Sequence, residues 1–588
     1  MSVRSIPSLR RSILVGVVIL LAALLSCSDE EKVTAPTSPE APARPRVVSV
    51  QPVPDDVVDL VVDTIRIVFS KQIDTSTISD SSIVITPPLT TRFEYDSANM
   101  TVIIVPTQEL VYGRGYRVTV TDSLRDVDGL SLLREYQWGF RVRGVSALYV
   151  APGGTGDGSQ DNPLGSIQQA VDSTESDPAL DVIFVAVGRY DGSIKITDAM
   201  TIYGGRDPLD EWRRSETDST LIMGGSYQNQ SIAMYVEDIP DTLRLNDLII
   251  ISTSGAYTGA GSYGIVCIST EYVTLTGCTV RSGCGAPGRD GVDGVAGWDA
   301  TDASPARGGA GGKGGYEEGG YTECDSTGAN CRYMCGTIYP PTDGQQGWSY
   351  DGTQTGGAGG TSGGAGFDGA PGAQGTDGEA GTNVVYLDWN NDVFFTVTGD
   401  GTKGTNGGYG SGGGGTSGAY AGVCYVNHPA EPGPDGGAGG AGAGRGTAGT
   451  AGTCGGSSIG VLTYHASVML YGSTIISCTG GYGGNGGTGG AGGTGQPGKP
   501  GEPGPYPGLG APGGNGGDGG RGGHGGGGAG GGSVAVAMYE GSFQLGADSR
   551  LITGQPGHGG FSAGNAGEDG VAAERYMLDL GPQSVPGE

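Results

Sequence analysis

Glycine returns at every third position through long stretches of this sequence: Gly285 to Gly297, Gly357 to Gly381, Gly480 to Gly504 and Gly510 to Gly531. Gly433 to Gly442 and Gly446 to Gly455 keep the same period on either side of a one-residue slip. Three residues per turn, rising about 3.1 Å each, is the geometry of the polyproline-II helix. A flexible Gly-rich linker has no reason to hold that phase. One face of an extended left-handed helix must therefore be bare, as it must be wherever backbones touch, because a Cβ would hold them apart. The amides of such a helix have no internal partners and must bond to neighbouring helices or to water.

Two of these runs, 480–504 and 510–531, flank a Pro-Tyr-Pro-Gly-Leu segment suited to a reversal. Each would reach roughly 70–80 Å at about 3.1 Å per residue. They read as an antiparallel pair within a bundle of polyglycine-II helices, with Gly480, Gly483, Gly486, Gly489, Gly513, Gly516, Gly519 and Gly522 as the positions where the tracts pack. Disorder is the alternative, since ordering glycine loses more backbone entropy than ordering any other residue. If the bundle forms, the run 510–531, mostly Gly-Gly-x, should be more buried than 363–381, where polar residues fill two faces of three. APGRDG (286–291) and KPGEPGPYPG (499–508) resemble collagen triplets. Low Pro content and the interrupting strand-like segments oppose a triple helix. In bias and period the runs also resemble mycobacterial PGRS domains and the polyglycine-rich tips of phage adhesins.

Composition narrows the partners. Of 588 residues 121 are Gly, and 62 acidic residues against 32 basic ones give a net charge of −30. No nucleic-acid partner is expected, because phosphates demand a basic footprint.

The first 27 residues read as an export signal: Arg4, Arg10 and Arg11, then an apolar run from Ser12 to Leu25 that is short for a membrane span. It closes Leu24-Leu25-Ser26-Cys27, which resembles the bacterial lipobox. The resemblance implies that Cys27 is acylated, so that the partner at this end is the membrane, and Ser28 points to sorting to the outer membrane. Residues 28–46, rich in Pro, Ser, Thr and Glu, form a tether. Everything downstream would then lie in an oxidising compartment or outside the cell. The sequence holds ten cysteines, so an odd number remains beside Cys27. Cys324, Cys331 and Cys335 cluster where the glycine period lapses, and a disulfide there is favoured over zinc because no histidine is near.

Over 47–144, short strand-like runs recur: VVSV, TIRIVF, SIVIT, TVIIV, YRVTV and YQWGFRV. Their spacing is that of an Ig-like β-sandwich. FSKQID (69–74), YDSANMTVIIVP (95–106), LVYGRGYRVTV (110–120) and DVDGLSL (126–132) resemble, in order, the bacterial Ig-like family of surface-layer proteins. There the module implies a spacer or stalk. No cofactor is expected. Ca²⁺ is left open at Asp126 and Asp128, where a plain Asp-Gly turn explains the residues better.

From 146 to 282 the reading changes again. LYVAPGGTGDGSQDNPLGSIQQAVD, DVIFVAVGRYDG and ITDAMTIYGG resemble the opening of right-handed parallel β-helix proteins of the pectate-lyase-like superfamily. The resemblance implies a cap helix over about Leu164 to Val171 with Ile167, Ala170 and Val171 facing inward. Further on, 264–285 aligns with 460–481, and 232–255, 384–401 and 533–554 are weaker copies. Each has an apolar strand, a polar turn, a second apolar strand and then Gly, the mark of a solenoid. The fold class expected is mainly β: an Ig-like sandwich followed by a right-handed parallel β-helix, its coils over 283–575 interrupted by polyglycine-II-like insertions, with a tail from 576 to 588.

Catalytic patterns are thin, and no catalytic residue is assigned. Gly523-His524-Gly525 matches a polygalacturonase motif but lies inside a glycine run without an acidic cluster. Asp247 and Arg281 are candidates for lyase chemistry that nothing in the sequence brings together. The four histidines, His428, His465, His524 and His558, lack metal-ligand spacing, and no metal ligand is assigned. The expectation is a lipid-anchored outer-membrane protein, non-enzymatic, with a structural or adhesive role toward surface glycans, matrix or other cells. The alternative is a polysaccharide lyase or glycoside hydrolase working in a β-helix groove.

Overall fold

The structure, a computed structural model, describes residues 42–580 apart from 59–63, 145, 178, 216, 314–315, 319–320, 325–330, 335–336, 353, 362–364, 384–385, 391–392, 398, 417–433 and 503–510. Cys27, the export signal and the reversal at 505–509 lie outside the described residues. The chain is mainly β. Among the described residues no helix is long and apolar enough to cross a membrane.

The first unit is a pair of four-stranded sheets. One orders Val47–Gln51, Ile65–Phe69, Thr101–Pro106 and Thr91–Asp96, all antiparallel. The other orders Val57–Val58, Tyr136–Val142, Gly115–Val120 and Ile83–Thr86. Alternation sends Ile65, Ile67 and Phe69 from one sheet, and Tyr116, Val118 and Val120 from the other, into one buried core. Trp138 joins that core and its indole N–H donates to the Pro52 carbonyl at 3.1 Å. The strand Thr91–Asp96 was not among the sequence-predicted runs; its outward Arg92 and Glu94 dilute the apolar signal.

The second unit is a stack of parallel strands on three sides. The first ladder climbs through Ala147–Val150, Val182–Ala186, Thr201–Asp207, Thr242–Asn246 and Tyr272–Thr276 to the second halves of Ser458–Tyr471 and Ser533–Leu545. The second holds Gly188–Asp191, Thr220–Met223, Leu248–Ile251, Thr279–Arg281, Thr474–Ile476 and Arg550–Ile552. The third runs from Ile194–Ile196 through Gln230–Glu237, Ser262–Ile268 and the first halves of the two long strands to Ala572–Met577. All three ladders feed one core: Ile202 and Leu245, Ile222 and Ile250, Met234 and Ile265 are among its fully buried members. Each coil leaves an apolar face that only the next coil covers, which is why the pattern repeats.

The cap helix spans Ile167–Ser176, beginning later and ending later than the sequence pattern marked. Ser166 is its N-cap, accepting from the Gln169 N–H at 3.4 Å, and Ile167, Ala170 and Val171 close the core at that end together with Thr174. The copy at 384–401 is not a coil. Tyr386–Asn390 and Val393–Val397 form an antiparallel hairpin whose register pairs Asn390 with Val393. Apolar–turn–apolar spacing fits such a hairpin as well as a coil, so the spacing alone misled.

All three long excursions leave the stack at one corner, between the second and third ladders: 282–457, 477–532 and 553–571. Cys284 and Cys478, at the roots of the first two, form a disulfide closing a sequence separation of 194 residues.

Candidate functional site: a glycine bundle with a polar rim

The excursions run beside one another and bond through their backbones. In the stretch Gly525, Gly526 and Gly527, three successive N–H groups donate to Gly487, Thr402 and Asn565, three different legs, at 2.8–2.9 Å. The next three, Gly528, Ala529 and Gly530, repeat the order toward Gly484, Gly399 and Glu568. A helix with three residues per turn points successive amides about 120° apart, so each leg can be held from three sides. The amides that lack internal partners find them in the neighbours.

The runs 480–502 and 511–531 lie antiparallel: Gly516 donates to Gln496, Gly519 to Gly493, Gly522 to Gly490 and Gly531 to Gly481. A Cβ on Gly480, Gly483, Gly486 or Gly489 would fall well inside contact with the carbonyl oxygens of Gly531, Gly528, Gly525 and Gly522. One on Gly513, Gly516, Gly519 or Gly522 would meet those of Ala438, Ala441, Gly444 and Thr447. All eight positions are thus bare where backbones meet, the first quartet toward the 522–531 leg and the second toward a third leg. From Gly522 to Gly531 every residue is buried and in 511–521 Gly514, Gly517 and Gly520 are, whereas in 365–381 only Gly369, Gly372, Gly378 and Gly381 are. Burial follows the order expected from the two patterns.

The one-residue slip near Gly444 is compositional. Donors at Gly437, Gly440, Ala443, Gly446 and Gly449 keep step with 511–523 without a break. On the other side, Gly436, Gly439 and Gly442 face 306–312, while Gly444, Thr447 and Thr450 face Trp298, Val295 and Val292. A turn at Thr301–Ser304 in that neighbouring leg separates the two stretches and shifts which positions must be bare.

At the rim, side chains replace missing backbone partners. Asp290, Asp293 and Asp299 accept the N–H of Asn485, Thr488 and Thr494 at 2.7–2.8 Å. Thr453, Thr450 and Thr447 accept from Arg289, Val292 and Val295 with their hydroxyls at 2.6–2.7 Å. Asp368 and Asp377 do the same for Asn515 and His524. Hydrogen bonds to the charged form hold the Asp293 and Asp569 carboxyls below the usual aspartate range, from Thr488 and Gly559 respectively. The spacing of Asp290, Asp293 and Asp299, three and then six residues apart, is the sequence signal that would have found this rim.

His524 is a bundle residue: it is 8% exposed, and its Nδ1 accepts the Gly489 N–H at 3.1 Å. His465 approaches Glu540, and His558 approaches Asp569 while stacking on Tyr482; His428 lies outside the described residues. Cys324 and Cys331 are register partners in a short antiparallel pair; Cys335 lies outside the described residues. At Asp126 and Asp128, the Lys71 ammonium bonds both carboxylates, at 3.0 and 2.8 Å. Asp126 also accepts the Asp128 and Leu130 N–H groups of its turn. Among the described residues no group of three His, Cys, Asp or Glu side chains could hold a metal ion.

Asp247 pairs with Arg214 at 2.8 Å, in a turn where its φ is +55°, and not with Arg281. Burial raises its carboxyl above the usual range. Beside it the fully buried Arg206 bonds Glu109, reaching across from the sandwich, and lies over the rings of Tyr203 and Phe184. Tyr112 packs on Phe184 and Tyr203, and Arg114 bonds Glu211 at 2.7 Å. The sandwich is thereby seated on the first coils of the stack.

With this geometry in view, residues 41–142 match the bacterial Ig-like domain family. Solved structures resemble part of the chain at 18–21% identity. The methionine-rich copper resistance protein PcoC of Escherichia coli aligns over 17% of this chain and all of its own, with a TM-score of 0.15. The N-terminal part of the bacterial S-layer protein SbsC aligns over 17% and 24%, at 0.14. An L,D-transpeptidase of Mycobacterium tuberculosis aligns over 18% and 43%, at 0.12. No curated protein matches the chain.

Proposed function

We propose that this chain is a cell-surface lipoprotein with a non-enzymatic, structural or adhesive role, held in the outer membrane through acylated Cys27. In this reading the Ig-like domain is a spacer, the three-ladder stack is a right-handed parallel β-helix, and the excursions are polyglycine-II helices that display a surface to glycans, matrix or other cells. The observation that carries it is the amide network between legs, repeating every three residues from Gly525 to Gly530. Such a network spends a large glycine-rich part of the chain on making a stiff body with short exposed side chains, which serves presentation better than turnover. The Ig-like match at 41–142 is consistent with a spacer next to a tether.

Hydrogen–deuterium exchange over 480–531 tests the reading. Strong protection is expected, and exchange at the rate of a free peptide would overturn it. Globomycin should accumulate the unprocessed precursor in cells; unchanged processing would remove the anchor. Release of unsaturated uronate products from an acidic polysaccharide would replace the display role with a lyase.

A further inference from the structure

The second ladder turns an apolar block outward. Leu221 and Met223 are the outward positions of Thr220–Met223, and Ile249 and Ile251 those of Leu248–Ile251. The parallel register stacks Leu221 on Ile249 and Met223 on Ile251. Their inward neighbours Ile222 and Ile250 fill the core. Higher on the same face Ile476 is half-buried and Ile552 is 45% exposed. A sheet that rests one face on the core usually carries polar residues on a face that meets water. Six strands about 4.8 Å apart make this face roughly 24 Å tall.

Elsewhere the molecule covers such surfaces with its own chain. On the third ladder the outward Ile232, Tyr235, Tyr263 and Val266 are 0–1% exposed, in a cluster separate from the core that Leu578 joins after the last coil. On the first ladder the outward Phe184 and Tyr203 pack against Tyr112 of the sandwich. The second-ladder block keeps part of every side chain open to solvent. Directly below it, Arg189 and Asp191 hold the outward positions of Gly188–Asp191, in register with Leu221 and Met223.

We propose that this face binds a second copy of the chain, with the two stacks side by side about a two-fold axis parallel to them. Such an axis keeps each coil at its height and reverses the strand direction. Leu221 then faces the partner's Met223, Ile249 the partner's Ile251, and Arg189 the partner's Asp191, each contact occurring twice. The face is self-complementary in apolar character and in charge, with the sheets about 10 Å apart. Arg281 and Arg550 are outward positions here too, so two copies of net charge −30 meet on a face with three arginines and one aspartate. The excursions leave after Arg281, Ile476 and Ile552, at one end of the strands. Reversed strand direction sends the partner's bundle the opposite way, clear of the contact.

The pairing adds a partner to the surface role and does not depend on it. The chain from residue 28 onward, without an acyl group, is followed by sedimentation equilibrium and by hydrogen exchange at rising concentration. A face of this size predicts a weak, reversible dimer, with protection growing at 220–223 and 248–251. Ile249→Glu and Ile251→Arg, both at outward positions, should keep the parent melting temperature and each weaken the dimer about tenfold or more. Mixing the two variants should restore it, because the new carboxylate faces the new guanidinium. Tyr272→Ala, exposed on the first ladder, should change nothing. A parent chain monomeric at every concentration reached, a dimer protected on another face, or a mixture of folded variants no stronger than either alone would overturn the proposal.

Discussion

Asp293 and Thr488 stand 195 residues apart in sequence, and the carboxylate of the first accepts the backbone N–H of the second at 2.7 Å. The same separation joins Asp290 to Asn485 and Asp299 to Thr494. It also joins Thr279 to Thr474 in the second ladder. The register set in the stack is carried unchanged into the excursion.

The rim carboxylates should make the bundle sensitive to acid. Asp293 has a folded pKa held below its unfolded value, so its contribution is fully present above about 3.9 and is lost as pH falls through the lowered value. Exchange protection at 479–494 should decline as the protein is acidified through that window. An Asp293→Asn variant keeps an acceptor oxygen without the titration, and its profile should be flatter. An unchanged profile would show that the rim does not sense pH.

Gly522→Ala should destabilise strongly, because the new methyl collides with the Thr447 carbonyl in a backbone that the Gly522 and Gly523 N–H bonds to Gly490 and Thr405 hold in place. Overpacking of this kind costs about 1–3 kcal/mol or more. Gly225→Ala, with nothing within 4 Å, is the matched control. Thermal melts of the two variants should separate clearly.

Replacing Cys284 and Cys478 with Ser should lower the urea midpoint. Loop-closure entropy for a bridge across 194 residues is about 5 kcal/mol. A non-reducing digest should yield the linked peptide pair, and equal midpoints with and without reductant would refute a structural role.

At the junction of sandwich and stack, Arg206→Ala should leave Glu109 and Asp247 without the buried cation they share. Removing one partner of such a set costs about 3–5 kcal/mol. Calorimetry should show the sandwich melting apart from the stack in the variant and together with it in the parent chain.

Much of this architecture was legible in the sequence because each part has its own period: two in Ile65, Ile67 and Phe69, and three in the glycine runs. The inward set Ile167, Ala170 and Val171 was legible through the family resemblance of the segment that opens at Leu148. What stayed hidden depends on which segments become neighbours. Arg206 looks like any surface arginine until Glu109 and Tyr112 arrive from another unit. Cys284 and Cys478 sit near the same end of two aligned copies, a clue available only after the copies are stacked. The hairpin at Tyr386–Val397 shows the converse: apolar–turn–apolar spacing fits a coil and a hairpin equally, and partner choice decides.

Because every excursion departs from one corner and returns one coil higher, the bundle has a quantum of growth. Lengthening any outgoing leg and its return by one triplet each extends the shaft by about 9 Å and leaves the stack's registration untouched. A single added residue would instead rotate all later bare faces by a third of a turn, demanding a compensating bend such as the one at Thr301–Ser304. Reach could therefore vary among descendants of such a gene through small in-frame duplications, while the pedestal beneath stays the same.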